Sequence, residues 1–143
     1  MTEELIKAKE LLERENYTCV FIKNGEVSTS RERGVAPLIA RLDQKNDLAL
    51  ASCADKVVGK GAALLYALLG AKEVYATVIS TPAKRTLADN GIRVFFGTEV
   101  EYIKNRAGDG FCPIESATLN INDPVLAESV IRKKLEDLRK NKR

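Results

Sequence analysis

Apolar residues recur along this chain with two periods, and the change from one to the other marks out its elements. Leu5, Ala8, Leu11 and Leu12 fall on one stripe of a helix over 2–15, which Thr2 can cap. YTCVFIKNGEVSTS reads as a hairpin, with strands around 17–23 and 26–30 joined by Asn24-Gly25. Val35, Leu38, Ile39 and Leu42 are spaced for a helix at about 34–45, with Pro37 in its first turn, where no amide hydrogen is required. LALAS, 48–52, predicts a buried strand, Cys53-Ala54-Asp55-Lys56 a polar turn, and 57–69 an almost wholly apolar helix closed by Gly70. VYATVIS, 74–80, predicts the next strand. Thr81-Pro82 opens a helix that runs to Gly91, and IRVFF, 92–96, is the last strand. A Gly-rich loop over 105–116 precedes a final helix that starts at Asp123-Pro124 and buries Ala127, Val130, Ile131, Leu135 and Leu138.

The order is α, β-hairpin, α, β, α, β, α, β, loop, α. Helices between the later strands predict right-handed parallel crossovers, so the fold class is α/β, with a mixed five-stranded sheet between helical layers. No repeat or linker interrupts residues 1–143, which read as a single domain. The helix at 57–69 has no polar face, and it predicts cover on most sides, part of it from a second subunit in a homo-oligomer.

Composition narrows the chemistry. The 143 residues include no histidine, which removes the commonest general base, the commonest metal ligand and every Ser-His or Cys-His pair. Three cysteines without framework spacing suit a reducing, cytoplasmic setting. Met1-Thr2-Glu3-Glu4 is acidic and unlike a signal peptide, and the longest apolar run, within 61–69, is too short to span a bilayer. The net charge of +3 gives no argument for nucleic acid. Arg132-Lys133-Lys134 and Arg139-Lys140-Asn141-Lys142-Arg143 are basic, but Glu128, Glu136 and Asp137 break the charge and no aromatic accompanies it.

The stretch from Leu50 to Gly70 invites a test for a phosphate loop. Gly59-Lys60 fit the end of the Walker pattern, but Ala54 takes the place of its first glycine and Gly61 that of the magnesium-binding hydroxyl. What remains is a helix start flanked by Lys56 and Lys60, which attracts anions. The plain alternative is that Gly59 and Gly61 only permit close packing. In Gly108-Asp109-Gly110-Phe111-Cys112-Pro113-Ile114-Glu115, Pro113 reads as a first helical residue and Cys112 as its cap. Helix-start amides favour a thiolate, and Glu115 is placed for a capping interaction, so this is either a reactive thiol with a carboxylate beside it or an inert capped turn. Ser28-Thr29-Ser30-Arg31-Glu32-Arg33-Gly34 brings hydroxyls and two arginines to the start of the helix after the hairpin, where the alternative is a solvated turn.

Gly34-Val35-Ala36-Pro37-Leu38, Ala54-Asp55-Lys56-Val57-Val58-Gly59-Lys60, and Asn105-Arg106 with Cys112-Pro113-Ile114-Glu115 carry a resemblance. With them, and almost throughout its length, the sequence resembles a small, functionally uncharacterised prokaryotic family with the cytidine-deaminase-like fold. The resemblance implies a three-layer α/β/α domain in which the starts of the second and third helices face each other. True deaminases of this fold hold zinc there, through His or Cys of the first helix and a Cys-x-x-Cys pair of the second. Here Gly34-Val35-Ala36 stand at the first motif, and in Ser52-Cys53-Ala54-Asp55-Lys56 a lysine stands at the second thiolate. A zinc centre, and any other cofactor, is therefore not expected.

The reading implied is a zinc-free deaminase-like protein that binds, and can transform, a small anionic or nucleotide-like molecule between two helix starts. Arg31, Arg33, Lys56 and Lys60 would hold charge, with the amides of Gly34 and Gly59 and with Cys53, Asn105 and Arg106 nearby. Asp55 would orient Lys56 or act as acid or base. Cys112 would be the nucleophile of a hydrolase or transferase, assisted by Glu115. The alternative is a non-catalytic ligand sensor or assembly subunit.

Overall fold

A computed structural model describes residues 1–141; Lys142 and Arg143, at the basic end, lie outside them. Helix α1 (Glu3–Arg14) buries Leu5, Ala8 and Leu12, and the Thr2 hydroxyl caps it by accepting from the Leu5 amide at 3.1 Å. Strands β1 (Cys19–Lys23) and β2 (Glu26–Ser30) flank Asn24 and Gly25, whose φ angles of 51° and 81° suit the tight hairpin turn. Helix α2 (Ala36–Asp43) follows, and then β3 (Ser52–Val58), α3 (Lys60–Leu69), β4 (Glu73–Ser80), α4 (Thr81–Asp89) and β5 (Arg93–Val100) alternate. A short α5 (Pro113–Thr118) and a long α6 (Pro124–Lys140) complete the described chain.

The sheet is mixed and five-stranded, in the order β2-β1-β3-β4-β5. β1 runs antiparallel to both β2 and β3, while β3, β4 and β5 are parallel. Helix α1 packs on one face, across β1, β3 and β4. There Leu5, Ala8 and Leu12 meet Val20, Ile22, Ala54 and Tyr75. The larger core lies on the other face, beneath α2, α3 and α4.

Three expectations need correction. The helix predicted from 57 begins at Lys60, and it lies against α2, α4, α5, α6 and β3, so most of its apolar surface is covered from within the chain. The strand predicted over 48–52 is instead β3, from Ser52 to Val58, and the predicted polar turn at 53–56 lies inside it. Leu50 breaks the apolar run, with a φ of 64° and 70 % of its surface exposed. The Asp55 carboxyl is satisfied within the fold, so an acidic residue sits in the centre of the sheet. Finally, β5 continues past Phe96 through Gly97, where a Cβ would come 2.9 Å from the Thr77 carbonyl oxygen. Gly97 is a point of close approach between strands.

Candidate functional site

The two helix starts singled out in the sequence have opposite fates. At α3 the anion is the protein's own. Glu115, only 2 % exposed, comes in from α5. Its Oε2 accepts from the Lys60 amide at 2.7 Å and from the Ser80 hydroxyl, and its Oε1 accepts from the Ile103 amide at 2.6 Å. Ser80 also caps α4, its hydroxyl accepting from the Ala83 amide at 3.2 Å. One carboxylate thus joins the starts of α3 and α4 to the segment after β5 and satisfies buried amides that would otherwise lack partners. The glycines serve this packing: a Cβ on Gly59 would lie 3.1 Å from Glu115 Oε2, and one on Gly61 would lie 2.6 Å from Ile114 Cγ2. Lys60 turns away, its Nζ donating to the Leu119 carbonyl at 2.6 Å and to Asn122 Oδ1 at 3.0 Å. Burial, helped by nearby Arg85, holds this ammonium below the ordinary lysine range.

At α2 no side chain caps the helix. Beside its start a cleft of about 310 Å³ brings together Arg33, Gly34, Asp55, Lys56, Lys104 and Arg106. These come from three places in the chain: the approach to α2, the strand β3 and the segment after β5. Gly34 makes the turn into α2 with a φ of 62°. Asp55 lies 7 % exposed at the floor, its Oδ2 accepting from the buried Tyr66 hydroxyl at 2.7 Å and its Oδ1 from the Val57 amide at 3.3 Å. Burial raises this carboxyl to about 7 against the lowering effect of the bonds from Tyr66, Val57 and the Lys56 backbone. Around neutral pH a large share of Asp55 is therefore uncharged, while four cations line the cleft.

Five of the predicted site residues meet here: Arg33, Gly34, Asp55, Lys56 and Arg106. Lys104 belongs with them and was missed, although it directly precedes the Asn105-Arg106 pair already singled out. Asp55 does not orient Lys56, whose ammonium donates to Asn16 Oδ1 instead.

The remaining candidates lie elsewhere. Arg31 stacks on the Tyr17 ring at 4.4 Å and donates to the Glu15 carbonyl at 3.0 Å. Cys53 is fully buried on β3, where the apolar surroundings push its thiol up, as they do for Cys19 on β1. Asn105 shapes the loop, donating to Asp109 Oδ1 at 3.0 Å and accepting from the Asp109 amide at 3.2 Å. Cys112 sits at the first position before α5 as predicted, but its side chain makes no capping bond and it is not among the residues lining the basic cleft. Both oxygens of Glu115 are taken up by other groups. No helix among the described residues is long and apolar enough to cross a membrane.

Residues 7–135 match the profile of a family described as a domain of unknown function, DUF1893 (TM1506). No curated protein matches the chain. Among solved structures, the crystal structure of a DUF1893 family protein (TM1506) from Thermotoga maritima is similar. Its TM-score is 0.81 at 24 % identity, over 96 % of this chain and 91 % of that one. This likeness bears on the fold.

Proposed function

We propose that this chain, which belongs to the DUF1893 family, binds a small anionic or nucleotide-like molecule in the basic cleft beside the start of α2. One observation carries the reading: Arg33, Lys56, Lys104 and Arg106 line one cleft whose only carboxylate among the described residues, Asp55, is buried and raised to about 7. Cations gathered around a concave, partly desolvated space attract an anion more strongly than the same charges spread over a surface. The volume of about 310 Å³ is at the small end of the range for ligand sites, which suits a phosphate or carboxylate on a compact polar body. The order of elements supports reading the domain further as deaminase-like and zinc-free. Gly34-Val35-Ala36 at the entry to α2 supply no histidine or cysteine, and in Ser52-Cys53-Ala54-Asp55-Lys56 a lysine takes the place of the second thiolate while Cys53 lies fully buried within β3.

The reading stops at binding. A covalent step through Cys112 has no support from the cleft, which lacks that residue, and Glu115 is committed to the α3 and α4 starts. A ligand sensor, the alternative drawn from the sequence, needs neither group. Calorimetric titration with inorganic phosphate and with a nucleoside monophosphate tests the proposal. Saturable binding of at least one, weakened in Lys104→Ala/Arg106→Ala, is expected. Absence of saturable binding by both, or binding unchanged in the double variant, overturns it. Ligand that slows alkylation of Cys112 in the wild-type chain would restore the thiol to the site.

A further inference from the structure

The sheet has two free edges, and they differ in kind. β2 contributes five residues, mostly small and polar. β5 contributes eight, Arg93-Val94-Phe95-Phe96-Gly97-Thr98-Glu99-Val100, with no proline or lysine among them. Its register with β4 holds from Arg93 to Val100 with no inserted residue, so no bulge twists the edge away. Phe96 is 37 % exposed on it. A long regular edge with aromatic side chains is a template for another strand.

We propose that β5 pairs antiparallel with β5 of a second copy of this chain, about a two-fold axis through Phe96. Symmetry restricts the choice. Two identical strands pair antiparallel in one sheet only about an axis perpendicular to it, and residues opposite one another must share a face. The axis therefore passes through a residue, not between two. With Phe96 at the centre, Arg93 lies opposite Glu99, and symmetry makes this pair twice. Phe95 lies opposite Gly97, and Phe96 meets its own copy. Opposite charges, an aromatic ring covering a bare glycine, and an aromatic pair are each favourable across strands. An axis at Phe95 would set Arg93 against Gly97. An axis at Gly97 would set Phe95 against Glu99 and push Arg93 out to Glu101, beyond the strand. The exposed β5 cation is already in place, stacked 5.9 Å from the centre of the Phe95 ring. Glu99 already holds Lys84 at 3.0 Å through Oε1 and accepts from the Thr81 hydroxyl at 2.7 Å through Oε2, so the partner's Arg93 would add to a carboxylate that α4 positions. β2 has no such self-complementarity: centred on Ser28, it sets Glu26 against Ser30.

Analytical ultracentrifugation of the full chain over a concentration series tests the pairing, with two sets of variants. Arg93→Glu should raise the dimer dissociation constant about tenfold or more, since two attractive cross-strand pairs become repulsive. The charge exchange Arg93→Glu/Glu99→Arg, made with Lys84→Glu so that position 99 keeps an opposite charge beside it, should bring it back to within about threefold, which a mere folding defect would not do. In a Cys112→Ser background, Phe96→Cys should form a disulfide-linked dimer under mild oxidation. Val94→Cys should not, because its two copies would lie about 13 Å apart along the strands, beyond disulfide reach. A monomer at every concentration overturns the proposal. So does a dimer indifferent to Arg93→Glu, or Val94→Cys cross-linking as readily as Phe96→Cys.

Discussion

Helices α2 and α3 both start beside cations, yet only the start of α3 holds a carboxylate of the chain itself. At α3 the Glu115 carboxylate occupies the place an external anion would take, accepting from the Lys60 amide at 2.7 Å. At α2 no side chain caps the start, and the nearby cleft is lined by Arg33, Lys56, Lys104 and Arg106. A helix start takes an outside anion only while no internal partner holds that place. At α2, whose Ala36 and Leu38 amides bond back to the Arg33 and Val35 carbonyls and whose Pro37 has no N–H, the attraction rests on the cations. Whether such a partner exists is decided by a residue 55 positions away in the chain.

Removing the internal anion should produce the largest effect. Glu115→Ala leaves the Lys60 and Ile103 amides and the Ser80 hydroxyl without their acceptor, in a buried setting. A loss of about 3–5 kcal/mol is expected, or roughly 10 °C in Tm by thermal denaturation. A shift within 2 °C or so would show that the carboxylate is not the fastener described here.

The open site should answer in the reverse way. Lys104→Ala/Arg106→Ala should weaken phosphate binding about tenfold or more in a calorimetric titration, while Tm moves by no more than a few degrees. The binding should also fall as salt rises, because the cations face solvent.

Asp55 sharpens the contrast through pH. Its folded carboxyl titrates at about 7, above the ordinary unfolded value, with Tyr66, Cys19 and Cys53 around it and the four cations at the cleft. An acid raised in the folded state favours folding fully below its unfolded value, and that contribution is lost as pH climbs through about 7. Stability to urea should therefore decline from pH 5 to pH 8, and Asp55→Asn should flatten the decline. Sulfate, whose charge is constant over this range, should bind several-fold more tightly at pH 6 than at pH 8, and the same variant should remove the difference. A sulfate affinity independent of pH in the wild-type chain would separate Asp55 from the cleft.

The smallest effect belongs to Arg31. Its guanidinium is engaged with Tyr17 and the Glu15 carbonyl, so Arg31→Ala should leave phosphate affinity within about twofold. A tenfold loss would bring it back into the site.

Much of this was legible in the sequence because period and punctuation agreed. The stripe of α1, the Asn24-Gly25 hairpin and the Asp123-Pro124 entry to α6 each carry a local signal and a local cause, while Thr81-Pro82 marks the entry to α4 with the cap one residue earlier, at Ser80. β3 was misplaced because Asp55 and Lys56 look like turn residues, and only the distant Tyr66 hydroxyl shows why a carboxylate can lie mid-strand. The cations of the cleft were visible as residue types, but their grouping was not. Lys56 and Lys60 are neighbours in sequence, yet the change from strand to helix between them sends one to Asn16 and the other to Leu119 and Asn122. Glu115 was singled out for the right region and given a different role, since nothing local reveals that it reaches the start of α3.

Backbone amide NMR during titration with inorganic phosphate tests the difference between the two helix starts most directly. The account predicts saturable shifts at Arg33, Gly34, Asp55, Lys56, Lys104 and Arg106, with the amides of Lys60 and Ile103 unmoved because Glu115 already holds them. Shifts centred on Lys60 and Gly61 with a silent cleft would contradict it.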